Sequence, residues 1–346
     1  MLEIEALDTL FFRDGKSFAK GEDTWASSNF PPSPAVFYGA LRSVYFSNHM
    51  ESFAKAQLPD DPTAALIING LFMKLGQDIC FPMPLDCVTP KKSRNSKACL
   101  LSLTKNDGVN SSPMSFLLQP KNQEEVEQDL EGYLDSVTFK EYLNSETEEF
   151  YYKKLSDYIH NEPKIGITRS KQTYSSQEHM LYRVDMRRMD KASFVVGYKG
   201  ISLPQEGFIK LGGEGKGAIY KPISMRPIPA PQRESNRFKL YLATPAIYGK
   251  GWIPQWMDQN TLEGVYQGIH VKMFAAAVGR PVFIGGFDMK QKRPKPMQKA
   301  VPAGSVYYFE IIEGQWEEVI QSFHGKNISD NLAEQGFGLA YMGEIR

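Results

Sequence analysis

The sequence predicts an α+β fold of two packed domains, residues 1–225 and 226–346, with a long helical insertion at about 50–160 in the first. Three observations support this. Residues 225–231 carry three prolines in seven positions, a composition typical of a linker. The segments that follow are ordered close to β-α-β-β-α-β, which is the ferredoxin-like arrangement. Glycine-rich segments precede an aromatic strand at both 211–220 and 336–343, the outline of a duplicated fold.

The first elements follow from local patterns. Residues 2–12 alternate as a strand, and a turn with Lys16 beside it follows. A helix is predicted from Pro34, because Ser33 is a good N-cap and proline suits the first helical position. Its apolar face recurs at three and four residues from Phe37 to Tyr45. The free N–H groups at the start of such a helix either bind a phosphate or donate to the capping Ser33 side chain.

Residues 50–160 have the character of an insertion. Residues 91–105 carry five bases and no acid, whereas residues 124–149 carry ten acids and one lysine. Val126, Leu130 and Tyr133 stand at helical spacing in the acidic part, so we expect helices. Five more bases without an acid occupy 290–299. Segregated charges of this kind produce either a positive groove or solvated loops.

Residues 163–200 alternate as strands. Arg183 lies on one face and Tyr182 on the other, and Arg169 and Tyr174 precede them. Bases interleaved with aromatic rings suit a nucleic-acid backbone with stacked bases, while the alternative is a strand whose arginines pair with acids.

The glycine-rich segment 211–217 joins two of these strands. It contains Gly212, Gly213, Gly215 and Gly217, together with Glu214 and Lys216. Glycine permits left-handed turns and close approach to the backbone, and successive N–H groups in such turns can hold phosphate oxygens. The alternative is a turn that only connects strands. The spacing fits neither a P-loop nor a dinucleotide fingerprint.

Composition restricts the class of protein. The 346 residues have a formal net charge of zero, and no run of eighteen apolar residues predicts a membrane span. The acidic, alternating N-terminal residues predict a strand and not a signal peptide. Cys80, Cys87 and Cys99 form no C-x-x-C pair, which favours a reducing cytoplasm over a zinc site or disulfide framework.

No catalytic or metal-binding pattern stands out. The five histidines do not pair with other ligand types at metal-ligand spacings. His49, after the first helix, is a candidate general base, but a surface histidine is the more economical interpretation. The sequence therefore predicts a binding protein without cofactors, not an enzyme.

Several stretches resemble one family. They are Leu7-Asp8-Thr9-Leu10-Phe11-Phe12-Arg13-Asp14-Gly15-Lys16, Pro32-Ser33-Pro34-Ala35-Val36-Phe37-Tyr38-Gly39-Ala40-Leu41-Arg42, Gly166-Ile167-Thr168-Arg169, Leu181-Tyr182-Arg183, and residues 211–217, 283–288, 301–309 and 336–340. Together they resemble the third-subunit family of the Cmr complex, the type III-B CRISPR effector, within the repeat-associated mysterious protein (RAMP) superfamily.

The resemblance implies two ferredoxin-like (RAMP, RRM-like) domains whose glycine-rich loops face a cleft. It implies a non-catalytic subunit that grips the 5′ handle of the guide CRISPR RNA and docks the large palm-domain subunit and a backbone RAMP subunit. An inserted hairpin acts as a thumb where the guide pairs with target RNA.

On that basis we expect basic side chains to bind the phosphates of the guide RNA. We expect the glycines, which lack a side chain, to let the RNA approach the protein backbone closely. The expected RNA-binding residues are Lys16, Arg42, Arg169, Arg183, Lys210, Gly212, Gly213, Gly215, Lys216, Gly217, Lys292 and Arg293. Two alternatives remain open at this point. One is a metal-independent endoribonuclease that processes guide RNA with His49 or Tyr38, and the other is a structural bridge that contacts only proteins.

Overall fold

Strands dominate the computed structural model of this protein, which mixes α and β elements in several sheets. The structure describes residues 1–13, 25–26, 28–91, 96–108, 112–121, 125–169, 172–173, 175–288 and 293–345. The mixture of helices and strands agrees with the α+β class predicted from the sequence.

In the first part of the chain, up to residue 222, the described residues form two α-helices and seventeen strands. In chain order they are β1 (Leu2–Ala6), β2 (Trp25–Ala26), α1 (Pro34–Asn48), β3 (Ile67–Leu75), β4 (Asp78–Pro82), β5 (Cys87–Pro90), β6 (Lys97–Leu100), β7 (Ser102–Lys105), β8 (Phe116–Gln119), β9 (Val126–Glu127), β10 (Gly132–Asp135), α2 (Ser136–Leu143), β11 (Glu149–Tyr151), β12 (Lys153–Lys154), β13 (Ile159–Arg169), β14 (Ser176–Met189), β15 (Ala192–Lys199), β16 (Gly207–Lys210) and β17 (Gly217–Pro222).

The described residues of the second part form ten strands and one α-helix. They are β18 (Arg237–Leu242), β19 (Glu263–Tyr266), β20 (Ile269–Ala277), β21 (Val282–Ile284), β22 (Phe287–Asp288), β23 (Arg293–Pro294), β24 (Gln298–Ala300), β25 (Val306–Glu313), α3 (Trp316–Phe323), β26 (Lys326–Asn327) and β27 (Leu339–Gly343). Short 3-10 turns lie at Met50–Lys55, Leu155–Asp157 and Ala333–Gln335.

An eight-stranded sheet organises the first part, in the order β12-β10-β4-β3-β15-β1-β17-β16. Helix α1 begins at Pro34 as predicted, although the Ser33 side chain makes no capping hydrogen bond. The helix lays Phe37 and Leu41 against one face of the sheet, where they pack with Ile4 and Phe194. This packing buries the periodic apolar stripe that the sequence shows, and it makes α1 the cover of that face.

A six-stranded sheet organises the second part, in the order β19-β20-β25-β18-β27-β26. Helix α3 packs Trp316, Val319 and Phe323 against Phe238 of β18. A capping box of Gln315 and Glu318 starts this helix. The segment 254–261 forms turns and one isolated bridge, from Met257 to Gly264.

A shared core joins the two large sheets. Phe72 and Val195 from the first sheet pack in one cluster with Tyr241, Tyr308 and Tyr341 from the second. The two parts are therefore held together by buried aromatic surface as well as by the proline-rich linker. The domain boundary at 225/226 remains a prediction, and it coincides with the change from one sheet to the other.

The helical insertion predicted at 50–160 is not confirmed. The described residues there form mostly strands, and β3, β4 and β10 belong to the eight-stranded sheet. The apolar spacing around Leu130 does not form a helix, because Gly132–Asp135 pairs with β4 and Leu130 is 76% exposed. Sheet pairing with distant residues overrides a local spacing of this kind.

The segregated charges of this region largely neutralise one another. Lys91 lies 3.4 Å from Glu125, and Lys97 lies 2.6 Å from Glu149. Lys121 pairs with Glu148 in the same way. The basic and acidic blocks thus pair across strands, so the described part of the basic block 91–105 is not a positive groove.

Candidate nucleic-acid interface

The glycine-rich loop connects the antiparallel strands β16 and β17, with Lys210 opposite Gly217. Its first half is packed tightly. Gly212 has a φ of +77°, and a Cβ there would lie 2.4 Å from the carbonyl oxygen of Phe11. The next residue, Gly213, donates a 2.8 Å backbone hydrogen bond to that same oxygen. Only glycine fits at position 212, and this half of the loop packs directly on Phe11, in the segment after β1.

The tip of the loop is open. Gly215 has a φ of +67° and no heavy atom within 4 Å of a hypothetical Cβ. Glu214 beside it also has a positive φ, at 58°. Successive backbone N–H groups in a turn of this kind can form an anion-binding concavity. The loop therefore combines a packed base with an accessible main chain at Gly215.

A long hairpin of β13 and β14 stands next to the loop. The strands run for 11 and 14 residues. Lys164 of β13 lies 3.7 Å from Glu214 at the loop tip, and Arg187 of β14 bridges to Leu10. Ile165 is 69% exposed on this hairpin. The hairpin thus begins at the loop and presents apolar side chains to solvent.

Lys216 is held by an ion-pair network at the base of the hairpin. Its Nζ donates to Asp8 at 2.8 Å and to the hydroxyl of Thr9 at 3.2 Å. Arg188 reaches Asp8 at 3.5 Å and also pairs with Glu162. The hydrogen bond from Lys216, followed by that from the backbone of Thr9, lowers the pKa of the Asp8 carboxyl group. Phosphate would have to compete with Asp8 for Lys216.

Two other predicted bases lie near this surface. Lys210 is exposed at the end of β16 and has no acidic partner in the part of the chain that the structure describes. The Nε of Arg183, on β14, lies 3.6 Å from Asp185. The structure therefore brings Lys210 and Lys216 together around the loop, with Arg183 on the adjoining hairpin.

Several predicted residues cannot be placed on this surface. Lys16 and Lys292 lie outside the described residues, and the side chain of Arg169 does too, although its backbone belongs to β13. Arg42 is engaged internally, since it bonds Thr63 at 2.7 Å and Asp61 at 2.5 Å, and the Asp61 side chain is only 8% exposed, whereas Asp8 beside Lys216 is 57% exposed. Its guanidinium stabilises the loop after α1.

Arg293 belongs to a separate basic patch, which comprises Arg293, Lys295 and Lys299. All three are exposed and lack an acidic partner among the side chains that the structure describes. These three residues are the bases of the 290–299 block that the structure describes.

The second glycine-rich segment does not line an open surface. A Cβ at Gly336 would lie 2.7 Å from Ile68 of β3, and the following Phe337 is fully buried. Thr244 donates a 2.7 Å hydrogen bond to the Gly336 carbonyl. The expectation that both loops face a cleft is not met here, because this segment packs where the two parts of the chain meet.

The candidate catalytic residues do not form a unit. His49 ends α1, with its Nδ1 2.9 Å from the carbonyl of Tyr45 and its ring stacked on Tyr45. Tyr38 lies eleven positions earlier, about 16 Å along the helix. Burial raises the pKa of Tyr38. Among the described residues, no three His, Cys, Asp or Glu side chains are grouped as metal ligands.

Comparison with known families decides the classification. The sequence profile of the family described as CRISPR-associated protein (Cas_Cmr3) matches residues 2–345. The chain belongs to that family. The resemblance predicted from the sequence is thereby confirmed. No curated protein sequence matches the chain.

Two solved structures share the fold. A chain of the Type III-B Cmr-beta complex bound to cognate target RNA is 17% identical, with a TM-score of 0.52, and the match covers 89% of this chain and 86% of that one. A chain of Cmr-beta with cognate target RNA and AMPPnP, in state 1, is 16% identical, with a TM-score of 0.51, over 89% and 85%. At these identities the similarity concerns the fold. Of the described helices, none has the length and hydropathy to span a membrane.

Some residues of this surface were missed in the sequence. Asp8, Glu162 and Lys164 carry no motif of their own, and Arg188 is one of two adjacent arginines. Lys216 and Asp8 are 208 positions apart, so their pairing depends on β1 and β17 being neighbours. The local signals that pointed to this region are the glycine-rich segment and the alternation of β14.

Proposed function

We propose that this chain is a non-catalytic subunit of a type III-B CRISPR effector complex that holds the 5′ handle of the guide RNA. Membership of the Cas_Cmr3 family supports this, as does the fold shared with chains of Cmr-beta bound to target RNA. In this proposal the chain works in the cytoplasm, docks the large palm-domain subunit and a backbone RAMP subunit, and lies near target RNA.

The observation that carries the proposal is the open loop tip at Gly215 between Lys210 and Lys216. A single-stranded RNA backbone needs cations for its phosphates and an accessible main chain. The loop provides both, and its packed base at Gly212 keeps it in place. When RNA binds, a phosphate replaces the carboxylate of Asp8 as the partner of Lys216.

The hairpin of β13 and β14 is the candidate thumb. It leaves the body of the chain beside the glycine loop, and it exposes Ile165 and Ile167. Apolar side chains of this kind, isoleucine included, can insert as wedges between base steps and partly unstack them. We place the handle at the loop and the guide's paired region along the hairpin.

Each part of the chain is, in this proposal, a variant of the ferredoxin-like unit. The central order β3-β15-β1-β17 in the first sheet and β20-β25-β18-β27 in the second are equivalent. Each retains one flanking helix, α1 in the first part and α3 in the second. The pattern supports two related units joined by the linker.

The test is RNA binding by charge variants of the loop. Lys216→Glu and Lys210→Gln are expected to weaken binding of a handle-containing single strand. Each should also lower the slope of log affinity against log salt by about 0.7, because one phosphate contact is lost. Asp8→Asn should tighten binding, since it frees Lys216 from its competitor. Affinity is measured by fluorescence anisotropy at several salt concentrations.

Lys97→Gln is the matched control, because Lys97 is paired with Glu149 away from the loop. It should leave both affinity and slope unchanged. Folded Lys216→Glu protein that binds with unaltered affinity and slope would contradict the role of the loop. Cleavage of repeat RNA by the wild-type chain, lost in His49→Ala, would instead support the endoribonuclease alternative.

A further inference from the structure

A cavity of about 470 Å³ lies between the two parts of the chain. Phe30, Leu71 and Tyr133 line it from the first part, and Ala243 and Pro302 line it from the second. Its volume falls within the roughly 300–1,000 Å³ typical of sites that enclose a ligand. The cavity is separate from the open tip of the glycine loop, whose residues do not line it.

The walls are formed before any ligand arrives. Proline contributes at positions 31, 32, 34, 82, 245 and 302, and its fixed φ limits movement of the lining backbone. Phe37 and Phe194 form part of the lining and contact each other edge to face, with ring centroids 4.9 Å apart. Both belong to the core beneath α1. A ligand therefore meets a rigid apolar surface and loses little affinity to reorganisation.

The cavity carries a single charge. Of its lining residues, all within the described part of the chain, Arg280 alone is ionised at neutral pH. Arg280 is exposed and has no acidic partner among the described residues. A guanidinium next to an apolar cavity complements a ligand that has an apolar body and a neighbouring carboxylate.

The apolar surface continues outside the cavity. Leu130 lines the cavity and is also 76% exposed, so its side chain extends from the lining into solvent. A small molecule enclosed by the walls would leave this side chain in water. A polypeptide that inserts one side chain and continues over the rim would cover it.

We propose that this cavity anchors a large apolar side chain of a partner polypeptide, whose adjacent carboxylate pairs with Arg280. Large side chains that fill a pocket provide most of the binding energy in protein interfaces. The inference rests on the proposed function only in requiring that the chain work within a multi-subunit complex.

The lining disfavours RNA as the occupant. A nucleic acid brings one phosphate per nucleotide, and the described lining supplies one cation. Base edges need donors and acceptors, but the amide nitrogen of Gln128 already donates to the carbonyl of Leu85 at 2.8 Å. An apolar side chain makes no such demand and gains from leaving water.

Site-specific photocrosslinking tests the proposal. Benzoylphenylalanine replaces Leu130 at the rim, and the variant is assembled with guide RNA and the other protein subunits of its own complex. Irradiation is expected to attach a different polypeptide, at a large apolar residue next to Asp or Glu in the mapped peptide. Adding Arg280→Glu should lower the adduct yield about tenfold, equivalent to about 1.4 kcal/mol.

Arg226→Glu is the matched control, because it makes the same charge change at an exposed residue of the linker. It should leave the yield unchanged. Ala303→Phe, which fills the cavity, provides a second variant that should reduce the adduct without altering the charge. Thermal unfolding confirms that each variant is folded.

Other outcomes overturn the proposal. An adduct on RNA or on a second copy of this chain identifies a different occupant. The absence of any adduct, or an undiminished adduct yield with Arg280→Glu, contradicts the proposed binding of a side chain and carboxylate at this cavity. Guide-RNA affinity of the same variants keeps the two proposals apart. Arg280→Glu should bind RNA normally, whereas Lys216→Glu should lose RNA binding and keep the crosslink.

Discussion

Tyr308 donates a 2.6 Å hydrogen bond to the fully buried carboxyl group of Asp86. Tyr308 belongs to β25 of the second sheet, and Asp86 precedes β5 in the first part of the chain. Tyr142 of α2 donates to the same group at 2.8 Å, and Lys239 of β18 donates to the Tyr142 carbonyl at 2.7 Å. This buried network fixes one part of the chain against the other.

Removing the Tyr308 hydroxyl should loosen that junction. Tyr308→Phe takes one donor from a buried acid, so we expect the free energy of unfolding to fall by about 1.5–3 kcal/mol. Urea denaturation measures the change. Tyr151→Phe is the control, because Tyr151 is 69% exposed and its loss should alter stability by less than about 0.5 kcal/mol. Equal stability of the two variants would show that the network does not hold the parts together.

The two glycines with similar left-handed φ in the loop should respond differently to alanine. The methyl group of Gly215→Ala meets open space. This substitution should lower the free energy of unfolding by only about 1–2 kcal/mol, the cost of a left-handed φ in alanine. Gly212→Ala should cost clearly more, because its Cβ would lie 2.4 Å from the Phe11 carbonyl oxygen. Thermal unfolding of both proteins checks the ranking, which the reverse order would contradict.

His324 makes stability depend on pH. Burial lowers the pKa of its imidazole, whose Nε2 lies 2.9 Å from the Ile228 carbonyl and whose Nδ1 accepts from the Met342 N–H. The imidazole of the unfolded chain takes up a proton near pH 6.5, whereas that of the folded chain stays neutral to a lower pH. The contribution of neutral His324 to the free energy of unfolding is therefore complete above about pH 6.5 and is lost as the pH falls towards the lower pKa of the folded state. The slope for one proton is at most about 1.4 kcal/mol per pH unit.

The measurement is the free energy of unfolding from pH 7.5 to pH 5. His324→Gln should reduce the slope, whereas His49→Gln, at the end of α1, should retain it. A slope unaffected by His324→Gln would assign the pH dependence to other groups.

The three cysteines should differ in reactivity. Burial raises the pKa of the Cys80 thiol to about 12 and also raises that of Cys87, so neither forms the reactive thiolate readily. Cys99 is only partly buried. At pH 8, iodoacetamide should modify Cys99 first, and Cys80 and Cys87 only after unfolding. Peptide mass spectrometry follows each site, and Cys99→Ser should abolish the early product. Early labelling of Cys80 would contradict the burial.

Features that depend on local chemistry could be predicted from the amino-acid sequence. Pro34 starts α1, the apolar spacing of residues 316–323 forms α3, and the glycines at 212 and 215 make a tight loop because other residues are strained at positive φ. The family followed from the order of such stretches along both parts of the chain.

Which residues contact one another depends on the tertiary fold. Arg42 was expected to contact RNA, but it bonds Asp61, and the basic block containing Lys97 meets the acidic block containing Glu149. The segment at Gly336 looks like a second open loop, yet it packs on Ile68. Ion pairs and buried contacts join residues far apart in the chain, so they follow from strand order and sheet packing and cannot be read from spacing.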